Sequence, residues 1–304
     1  MAAYSMKRFL RGPVGLAAVR LAKWGYRMPV LSARRLTAGS RSLPDVYVLG
    51  ATKCGTSSLY TYLSRHPRFV PAYLKELQYL HELEGFSSNY ERSAVARAVW
   101  GHWRRGGEAG YRKFFPRHSE LTAGAGDGRA LTGEATPFYL YSAACAERVA
   151  ELTPEARFVI LLRNPVDRTF SDYHMQVRRD SREERPLEQA LDDELAGRCP
   201  HFRLRYLHQS VYEPHVRTWM ERFPRDRFLV LRSEDFFART GELMQETFAF
   251  LGLDPFDPGD YPVVNQGSYR KKLGGRVRQR LTDYFRPHNR RLYDYLDRDF
   301  QWDV

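Results

Sequence analysis

Short apolar runs alternate with stretches of helical periodicity along this chain. Continuous apolar runs of roughly four to eight residues, bounded by turn residues, are typical of strands that are buried on both faces. Three such runs, residues 45–49, 157–163 and 227–236, are therefore predicted to be strands. Strands that alternate with helices predict a single α/β domain with a central parallel sheet flanked by helices. Helices are predicted at residues 56–65, from Pro165 onward, from the third strand to about Phe250, and near 91–104, 142–152, 186–196 and 206–222.

Two segments without a clear period interrupt this alternation. Residues 124–128 form a glycine-rich turn, and residues 254–275 are rich in proline and glycine. A long irregular segment inside a compact domain is usually functional. Near the C-terminus, aromatic residues at helical spacing predict a last helix that packs on the sheet, tethered by His288 and Asn289, rather than a sugar-stacking surface. These aromatic residues are Tyr284, Phe285, Tyr293, Tyr295, Phe300 and Trp302.

The net charge of +12 comes mostly from the first 44 residues, which hold nine basic side chains and no acidic one. The rest of the chain holds 39 of the 48 basic side chains and all 36 acidic ones, so a nucleic-acid binder is not indicated. We divide the chain into a basic amphipathic arm, residues 1–44, and a domain of residues 45–304. A helix with this apolar stripe and these basic residues can lie on an anionic membrane surface. An arm that is disordered, or docked on the core, is an alternative of equal weight. The stripe is imperfect and consists of Val14, Ala17, Ala18, Leu21, Trp24 and Met28.

Targeting signals in the arm are weak. Its apolar runs are far shorter than the roughly 20 residues that a membrane-spanning helix needs. Arg20 and Lys23 disfavour a cleaved signal peptide, whereas an acid-free, arginine-rich segment is also compatible with an organelle transit peptide. We expect a cytoplasmic protein that can bind the inner membrane face peripherally. Three scattered cysteines, Cys54, Cys145 and Cys199, give neither a disulfide framework nor a zinc site.

A segment rich in glycine and hydroxyl residues, GATKCGTSS, follows the first predicted strand at residues 50–58. Its glycines let backbone N–H groups approach an anion, and the next helix begins there with the positive end of its dipole. A Walker loop would have its lysine directly after the second glycine, where this chain has Thr56, and the lysine is Lys53 instead. The segment therefore predicts a P-loop-like phosphate site that departs from the ordinary nucleotide loop.

A second anion site is predicted at the end of the second strand. That strand ends at Arg163, and Ser171 follows about two turns into the helix that Pro165 opens. An arginine fork and a helix hydroxyl can hold a further phosphate group, although Arg163 could simply pair with Asp167. A Walker-type magnesium site needs a carboxylate at a strand end, and this strand ends in arginine. We therefore expect no metal.

Together these motifs resemble the sulfotransferases that use 3′-phosphoadenosine 5′-phosphosulfate (PAPS), in the branch of the heparan sulfate and related carbohydrate enzymes and their bacterial relatives. GATKCGTSSL is similar to the family's 5′-phosphosulfate loop, and LLRNPVDRTFSDY, residues 161–173, is similar to its 3′-phosphate motif. GEATPFYL, RFLVLRSEDF and the C-terminal YFRPHNRRLYDYLDRDFQW also match that branch. The resemblance spans residues 46–302 and implies a sulfotransferase with PAPS as its co-substrate.

The resemblance implies cofactor-binding residues in three segments. The loop after the first strand would hold the 5′-phosphosulfate, and Arg163 and Ser171 would hold the 3′-phosphate. Further 3′-phosphate contacts are expected in SYRKKLGG, residues 268–275, where the sequence differs from that of better-known members. The loop residues are Lys53, Gly55, Thr56, Ser57 and Ser58, and the late residues are Arg270, Lys271 and Lys272.

The resemblance also implies a mechanism. The acceptor hydroxyl attacks in line, Glu76 in YLKELQYLH matches the position of the catalytic base, and Lys53 stabilises charge on the leaving nucleotide. Taken alone, Glu76 is an ordinary solvated carboxylate. The remaining candidates for the acceptor site, each with a structural alternative, are Lys75, His81, Glu134 and Thr136.

The chain departs from the glycosaminoglycan-modifying members at three positions. Those members have histidine and aspartate where this chain has Gln78 and His81, and a lysine where it has Ala135. The departures argue against a heparan-type acceptor and leave a hydroxyl of a carbohydrate, a glycolipid or a small metabolite. Two other functions stay open: a magnesium-dependent P-loop kinase or NTPase, and a non-catalytic membrane-associated binding protein that uses the arm.

Overall fold

The structure, a computed structural model, describes residues 27–80, 106–123, 128–178, 183–199, 201–264 and 273–302. The helix predicted near 91–104, most of the glycine-rich turn and most of the apolar stripe of the arm lie outside these residues. Four of the candidate site residues also lie outside them, namely His81, Arg270, Lys271 and Lys272.

Five parallel strands form one sheet, which confirms the predicted α/β class. The strands are β1 Val46–Leu49, β2 Phe69–Pro71, β3 Leu131–Ala135, β4 Arg157–Leu162 and β5 Phe228–Arg232. Their order in the sheet is β2-β3-β1-β4-β5. In this order β1 is central, and its residue Val46 is in register with Gly133 of β3 and with Arg157 of β4.

Helices connect the strands and cover the sheet, since β1 is buried along its whole length. Residues 27–36 form α1. The others are α2 Thr56–Leu63, α3 Gly107–Arg112, α4 His118–Thr122, α5 Ala143–Leu152, α6 Pro165–Arg178, α7 Leu187–Leu195, α8 Glu213–Met220, α9 Ser233–Ala238, α10 Thr240–Leu251 and α11 Gly275–Leu296. Short 3₁₀ helices lie at Ala38–Ser40, Pro137–Tyr141, Phe202–Leu204, His208–Ser210 and Arg225–Arg227.

Two predicted elements are longer than the observed ones. The prediction of a strand through residue 236 is wrong, because β5 ends at Arg232 and α9 begins at Ser233. The acidic residues that follow Ser233 occupy the first turn of α9, where the helix dipole favours negative charge. The helix predicted at 206–222 is also shorter, since α8 starts only at residue 213, with Pro214 in its first turn.

Two strands, β2 and β3, are absent from the prediction because their sequences do not resemble buried strands. β2 has three residues and ends at Pro71, and β3 has the partly polar sequence LTGEA. β3 nevertheless lies between β1 and β2 and is almost fully buried. Gly133 is required there, because a Cβ would come 2.4 Å from the carbonyl oxygen of Val46 on β1. The place of β3 in the sheet, rather than local propensity, decides its conformation.

The aromatic residues near the C-terminus pack in two separate places. Phe285 of α11 is buried in a small cluster with Val166 of α6, so this half of the helix does not rest on the sheet as predicted. Phe300 and Trp302, beyond the helix, join the main core, which contains the residues of the central strands. Asn289 is buried on α11 as expected of a tethering residue.

The described part of the arm is docked on the domain. Arg34 of α1 donates from Nε to the carbonyl of Lys113 (2.6 Å) and from Nη2 to that of Phe115 (2.6 Å). Arg41 donates from Nη1 to the same carbonyl of Phe115 at 2.9 Å. Leu31 of α1 is part of the main core. Within the described ranges, no helix combines the length and the apolar character needed to cross a membrane.

Candidate active site

The carboxyl ends of β3, β1 and β4 lie side by side, and the segments that leave them form the candidate site. β1 leads into the glycine-rich loop, residues 50–55, and then into α2. β4 leads into Arg163 and α6, and β3 leads into Thr136. Ligands of parallel α/β sheets bind at this edge. The topology thus brings candidate residues from distant parts of the sequence to one place.

The glycine-rich loop turns through two residues with positive φ. Lys53 has a φ of 71° and Gly55 has a φ of 96°. Gly55 is required, since side chains rarely adopt that φ and a Cβ would come 2.8 Å from Cζ of Phe237. α2 then starts at Thr56 with no side-chain cap from Gly55. The N–H groups in the first turn of a helix are donors for an anion, so this backbone suits a phosphate group.

Side chains from the segments after β4 and β5 hold the glycine-rich loop. Its three successive carbonyl groups at residues 52–54 each accept a hydrogen bond. The donors are Nε of Arg168 at 3.2 Å, Nη1 of Arg163 at 3.3 Å and Oγ of Ser233 at 2.8 Å. Because its carbonyl groups are bonded to the domain, the loop is held in shape before any ligand binds.

Arg163 and the helix that carries Ser171 both lie against the glycine-rich loop. Arg163 reaches the loop directly, and its alternative partner Asp167 pairs with Arg278 at 2.7 Å. Ser171 is buried on α6, three residues after Arg168, and residues at that spacing share a helix face. The structure therefore brings together the two segments that were predicted to hold anions.

Sequence reasoning missed Arg168, a fully buried cation beside the glycine-rich loop. Its Nη2 donates to the carboxylate of Asp172 (2.5 Å) and to Oγ1 of Thr52 (2.8 Å). Burial alone would lower the pKa of Arg168, but the Asp172 carboxylate and other neighbouring groups together raise it, so Arg168 is charged. The available signal was the i, i+4 spacing of the two residues, which fits an exposed helix pair equally well.

Replacing Arg168 by methionine is expected to lower the free energy of unfolding by about 3–5 kcal/mol, because Asp172 would stay buried without a counter-charge. Urea unfolding followed by circular dichroism measures this loss. The matched control is Arg278→Met, which breaks a half-exposed ion pair worth about 0–1 kcal/mol. Similar losses in the two variants would contradict the assigned importance of Arg168.

The acidic residues after β5 have structural partners. Oε1 of Glu234 accepts the N–H of Asn164 at 2.8 Å, and Oε2 accepts from Nε1 of Trp302 at 3.4 Å. Oδ1 of Asn164 in turn accepts the N–H of Val166 at 2.9 Å and caps the start of α6. Glu234 thereby fixes the turn that presents Arg163.

The cysteines of the chain are buried and free of disulfide bonds. Burial raises the pKa of the Cys54 thiol to about 11, so this residue of the glycine-rich loop is a neutral packing group at physiological pH. In the parts of the chain that the structure describes, no group of three or more His, Cys, Asp or Glu side chains could hold a metal ion.

Side chains of α2 and of the turn that follows it hold the segment that leads toward the late basic residues. Oγ of Ser58 accepts the N–H of residue 264 at 3.0 Å, and the Tyr62 hydroxyl donates to the carbonyl of residue 262 at 2.9 Å. Arg65 pairs with Asp260 at 2.8 Å. The Ser58 hydroxyl therefore faces residues 260–264. The same helix that begins at the glycine-rich loop thus supports the chain just before residues 265–272.

Glu76 and Lys75 lie on the segment beside the end of β3. The backbone N–H of Glu76 donates to the carbonyl of Ala135 at 3.1 Å, and its φ is 58°. Its side chain is 46% exposed, and Oε1 pairs with Nζ of Lys75 at 2.8 Å. A solvent-accessible carboxylate at this edge of the sheet can accept a proton from a bound hydroxyl.

Glu134 and Thr136 are buried beneath that segment. Glu134 is fully buried and accepts hydrogen bonds from the hydroxyls of Thr136 (2.6 Å) and Tyr111. Burial raises the pKa of Glu134 to about 7, while these hydrogen bonds oppose the shift. Both side chains face the protein interior, so neither contacts solvent in this structure.

The profile of the sulfotransferase family matches residues 44–258, most of the chain. The chain therefore belongs to the sulfotransferase family, a family of enzymes. A crystal structure of a sulfotransferase from Alicyclobacillus acidocaldarius superposes with a TM-score of 0.70 and 28% sequence identity, covering 86% of this chain and all of that one. The match agrees with the central parallel sheet flanked by helices.

Curated relatives are more distant in sequence. The membrane-associated sulfotransferase kil1 of Dictyostelium discoideum is 23% identical, covering 86% of this chain and 66% of that protein. Heparan sulfate glucosamine 3-O-sulfotransferase 6 of Mus musculus is 26% identical, covering 87% of this chain and 75% of that protein. The chain thus spans about two thirds to three quarters of the length of these relatives.

Proposed function

We propose that this protein transfers the sulfuryl group of PAPS to a hydroxyl group of an acceptor. The observation that carries the proposal is the meeting of two cationic segments, because Arg163 after β4 donates to the carbonyl of Lys53 in the glycine-rich loop. A nucleotide with phosphate groups at both its 5′ and 3′ ends needs two anion sites side by side. An ordinary nucleoside triphosphate has no 3′-phosphate and leaves the second site unexplained.

The residues present fit such a donor. The glycine-rich loop combines positive-φ backbone at Lys53 and Gly55 with an uncapped helix start at Thr56, which suits the 5′-phosphosulfate. Arg163 and Ser171 would hold the 3′-phosphate. Ser57 and Ser58 would contribute backbone N–H groups of the first turn of α2. PAPS supplies an activated sulfuryl group when bound.

Two residues would act on the transfer. Glu76 takes the proton of the acceptor hydroxyl as its oxygen forms the new bond to sulfur, and the bond from sulfur to the bridging oxygen breaks. The electron pair stays on that oxygen of the departing 3′,5′-adenosine bisphosphate, where the Lys53 ammonium stabilises it. Lys75, which pairs with Glu76 at 2.8 Å, would orient the base.

The class of acceptor is inferred from the relatives and from the exposure of Glu76. Relatives named for heparan sulfate favour a carbohydrate, and the membrane-associated relative is compatible with a glycolipid. A small hydroxylated metabolite is compatible with the exposed Glu76. We propose that the basic arm can hold the enzyme at an anionic membrane surface, on the inner face of the membrane. A transfer screen with sulfate-labelled PAPS over extracted glycolipids, sugars and phenols would identify the acceptor.

Replacing Arg163 by alanine is expected to weaken binding of 3′,5′-adenosine bisphosphate by about 10–100-fold, as for the loss of a charged hydrogen bond. Binding of adenosine 5′-phosphate, which has no 3′-phosphate, should change much less. Titration calorimetry of the full chain measures both affinities. Arg278→Ala, at the exposed pair with Asp167, is the matched arginine control.

Nucleotide affinities from titration calorimetry also distinguish the proposed function from the alternatives. Tighter binding of ADP with magnesium than of 3′,5′-adenosine bisphosphate would replace the proposal by a kinase or NTPase. Binding of neither nucleotide, with lipid binding that survives Lys53→Ala, would leave a non-catalytic membrane-associated protein.

A further inference from the structure

A buried carboxylate lies beneath the segment that carries Glu76. Glu134 of β3 is the acceptor of three hydroxyl groups: Oγ1 of Thr136 at 2.6 Å, the Tyr111 hydroxyl and the Tyr139 hydroxyl. It is fully buried. A carboxylate that accepts three donors is satisfied in its ionised form, whereas a proton on it would add a fourth donor among groups that already donate to it.

Two of these hydroxyls also accept hydrogen bonds from the backbone of residues 78–80. The hydroxyl oxygen of Tyr139 accepts from the N–H of Tyr79 (2.8 Å) and of Leu80 (3.2 Å). Oγ1 of Thr136 accepts from the N–H of residue 78 at 3.5 Å, a weaker contact. Each hydroxyl has a single proton and donates it to Glu134. Its oxygen lone pairs are therefore available to accept hydrogen bonds from the backbone N–H groups.

The backbone of this segment needs such support. Glu76 has a φ of 58° and Gln78 a φ of 49°, and neither is glycine. Left-handed backbone in such residues costs on the order of 1–3 kcal/mol each and persists only where surrounding contacts impose it. The contacts that hold it include those of Tyr139 and Thr136 and the bond from Glu76 N–H to the carbonyl of Ala135. At the far end, the Tyr79 hydroxyl donates to the carbonyl of Gly107 (2.7 Å), and Nη1 of Arg148 donates to the carbonyl of Leu80 (2.6 Å).

We infer that Glu134 is a positioning residue for Glu76: its ionised carboxylate fixes the proton directions of Thr136 and Tyr139, whose oxygens then hold the backbone of residues 78–80 and keep the preceding Glu76 in place. The inference rests on the proposed function insofar as Glu76 is the base. Glu134 acts through these hydroxyls and does not touch the acceptor.

The surroundings of Glu134 make this device sensitive to pH. In the described part of the chain, the groups that face it are hydroxyls: Tyr47 of β1, Tyr60 of α2, Tyr111 of α3, and Thr136 and Tyr139 on its own strand's continuation. Burial among them raises the pKa of Glu134 to about 7 from its usual 4.5. Protonation below that pH makes the carboxyl a donor, so that a neighbouring hydroxyl has to turn and accept from it, and this loosens residues 78–80.

Stability and positioning then respond to pH in opposite directions. Because the pKa of Glu134 is higher in the folded chain, its contribution to stability is present below pH 4.5 and is lost as the pH rises through about 7. Positioning requires the ionised form and is gained over the same rise. A residue that merely stabilised the fold would not show this opposition.

The test uses hydrogen–deuterium exchange of the full chain, read in peptides that cover residues 73–80, because this readout needs no acceptor. Glu134→Gln places a donor where the hydroxyls also donate, and Tyr139→Phe removes the acceptor of two N–H groups. In both variants the amides of residues 78–80 should exchange about tenfold faster, the value for one net hydrogen bond. Glu242→Gln, an exposed carboxylate paired with Arg239, is the control.

Activity supplies the second readout. For Glu134→Gln, the kcat of labelled-sulfate transfer at pH 8 should be lower than that of the wild type, and the affinity for 3′,5′-adenosine bisphosphate should be unchanged. Tyr111→Phe removes one donor to Glu134 and keeps the ring that stacks on Tyr79 of the segment (centroids 5.2 Å apart), so the acidic limb of its kcat profile should move to higher pH. Unchanged exchange at residues 78–80 in Glu134→Gln would overturn the inference. A wild-type chain that transfers no sulfate would overturn the proposed function, and the exchange result would still decide whether Glu134 holds the segment.

Discussion

Glu76→Gln should bind 3′,5′-adenosine bisphosphate like the wild type and transfer sulfate about 10²–10⁴-fold more slowly, the range for loss of a general base. Glutamine keeps the size of the side chain and can still accept from Lys75, whose Nζ lies 2.8 Å from Oε1. What it loses is the ability to take the proton of the acceptor hydroxyl. The comparison of kcat from labelled-sulfate transfer with nucleotide affinity from calorimetry measures this split.

The control for Glu76→Gln is Glu242→Gln, since Glu242 is an exposed carboxylate paired with Arg239 at 2.6 Å. It removes the same charge from the chain at a site outside the sheet edge. If Glu76→Gln kept a kcat within a few-fold of the wild type, Glu76 would not be the base. A parallel drop in nucleotide affinity would instead indicate that the substitution disturbs the site as a whole.

Lys53→Ala should lower kcat by about 10²–10³-fold, the range for removing one group that stabilises developing negative charge. The ammonium of Lys53 stands in the glycine-rich loop, whose carbonyl groups are already bonded to the domain, so the loss should be electrostatic rather than conformational. Steady-state transfer with labelled PAPS gives kcat, and calorimetry with 3′,5′-adenosine bisphosphate gives the accompanying loss of affinity.

The variant Lys53→Gly distinguishes the effect of losing the ammonium charge from the effect of disturbing the backbone. Lys53 has a φ of 71°, which glycine adopts freely and alanine does not. Lysine and alanine have the same intrinsic cost at this φ, so alanine could disturb the backbone only by losing the side-chain contacts that impose it. If the alanine variant failed for that reason, the glycine variant would recover activity. We expect both variants to be equally impaired, because both lack the ammonium.

The strands β1 and β4 were predictable because each is a continuous apolar run in the centre of the sheet. β3 was not, because Gly133 and Glu134 make its sequence polar, and only its position between β1 and β2 buries it. The end of β5 was misplaced because apolar residues continue into α9, where Phe236 is buried as a helix residue. Local pattern thus identifies central strands and fails where tertiary position decides.

The candidate site was predictable where chemistry and topology coincide. Arg163 and Lys53 had to approach each other because both follow parallel strands that are neighbours in the sheet. The buried pair of Arg168 and Asp172 was not predictable, because their spacing does not reveal which face of α6 is covered. The partners of Glu134 were not predictable either, because Tyr111 comes from a separate helix and nothing in the local sequence shows that Thr136 and Tyr139 turn toward the carboxylate.

The bonds that hold the glycine-rich loop also bear on how this chain folds. They join residues that are 110, 116 and 179 positions apart in sequence. Contacts between residues so distant form only after the intervening chain is ordered, since closing long loops is entropically costly. The anion site should therefore be absent from nascent or partly folded chains and appear at the last stage of folding. Nucleotide binding would then report complete folding, and the nucleotide would protect the finished domain alone against unfolding.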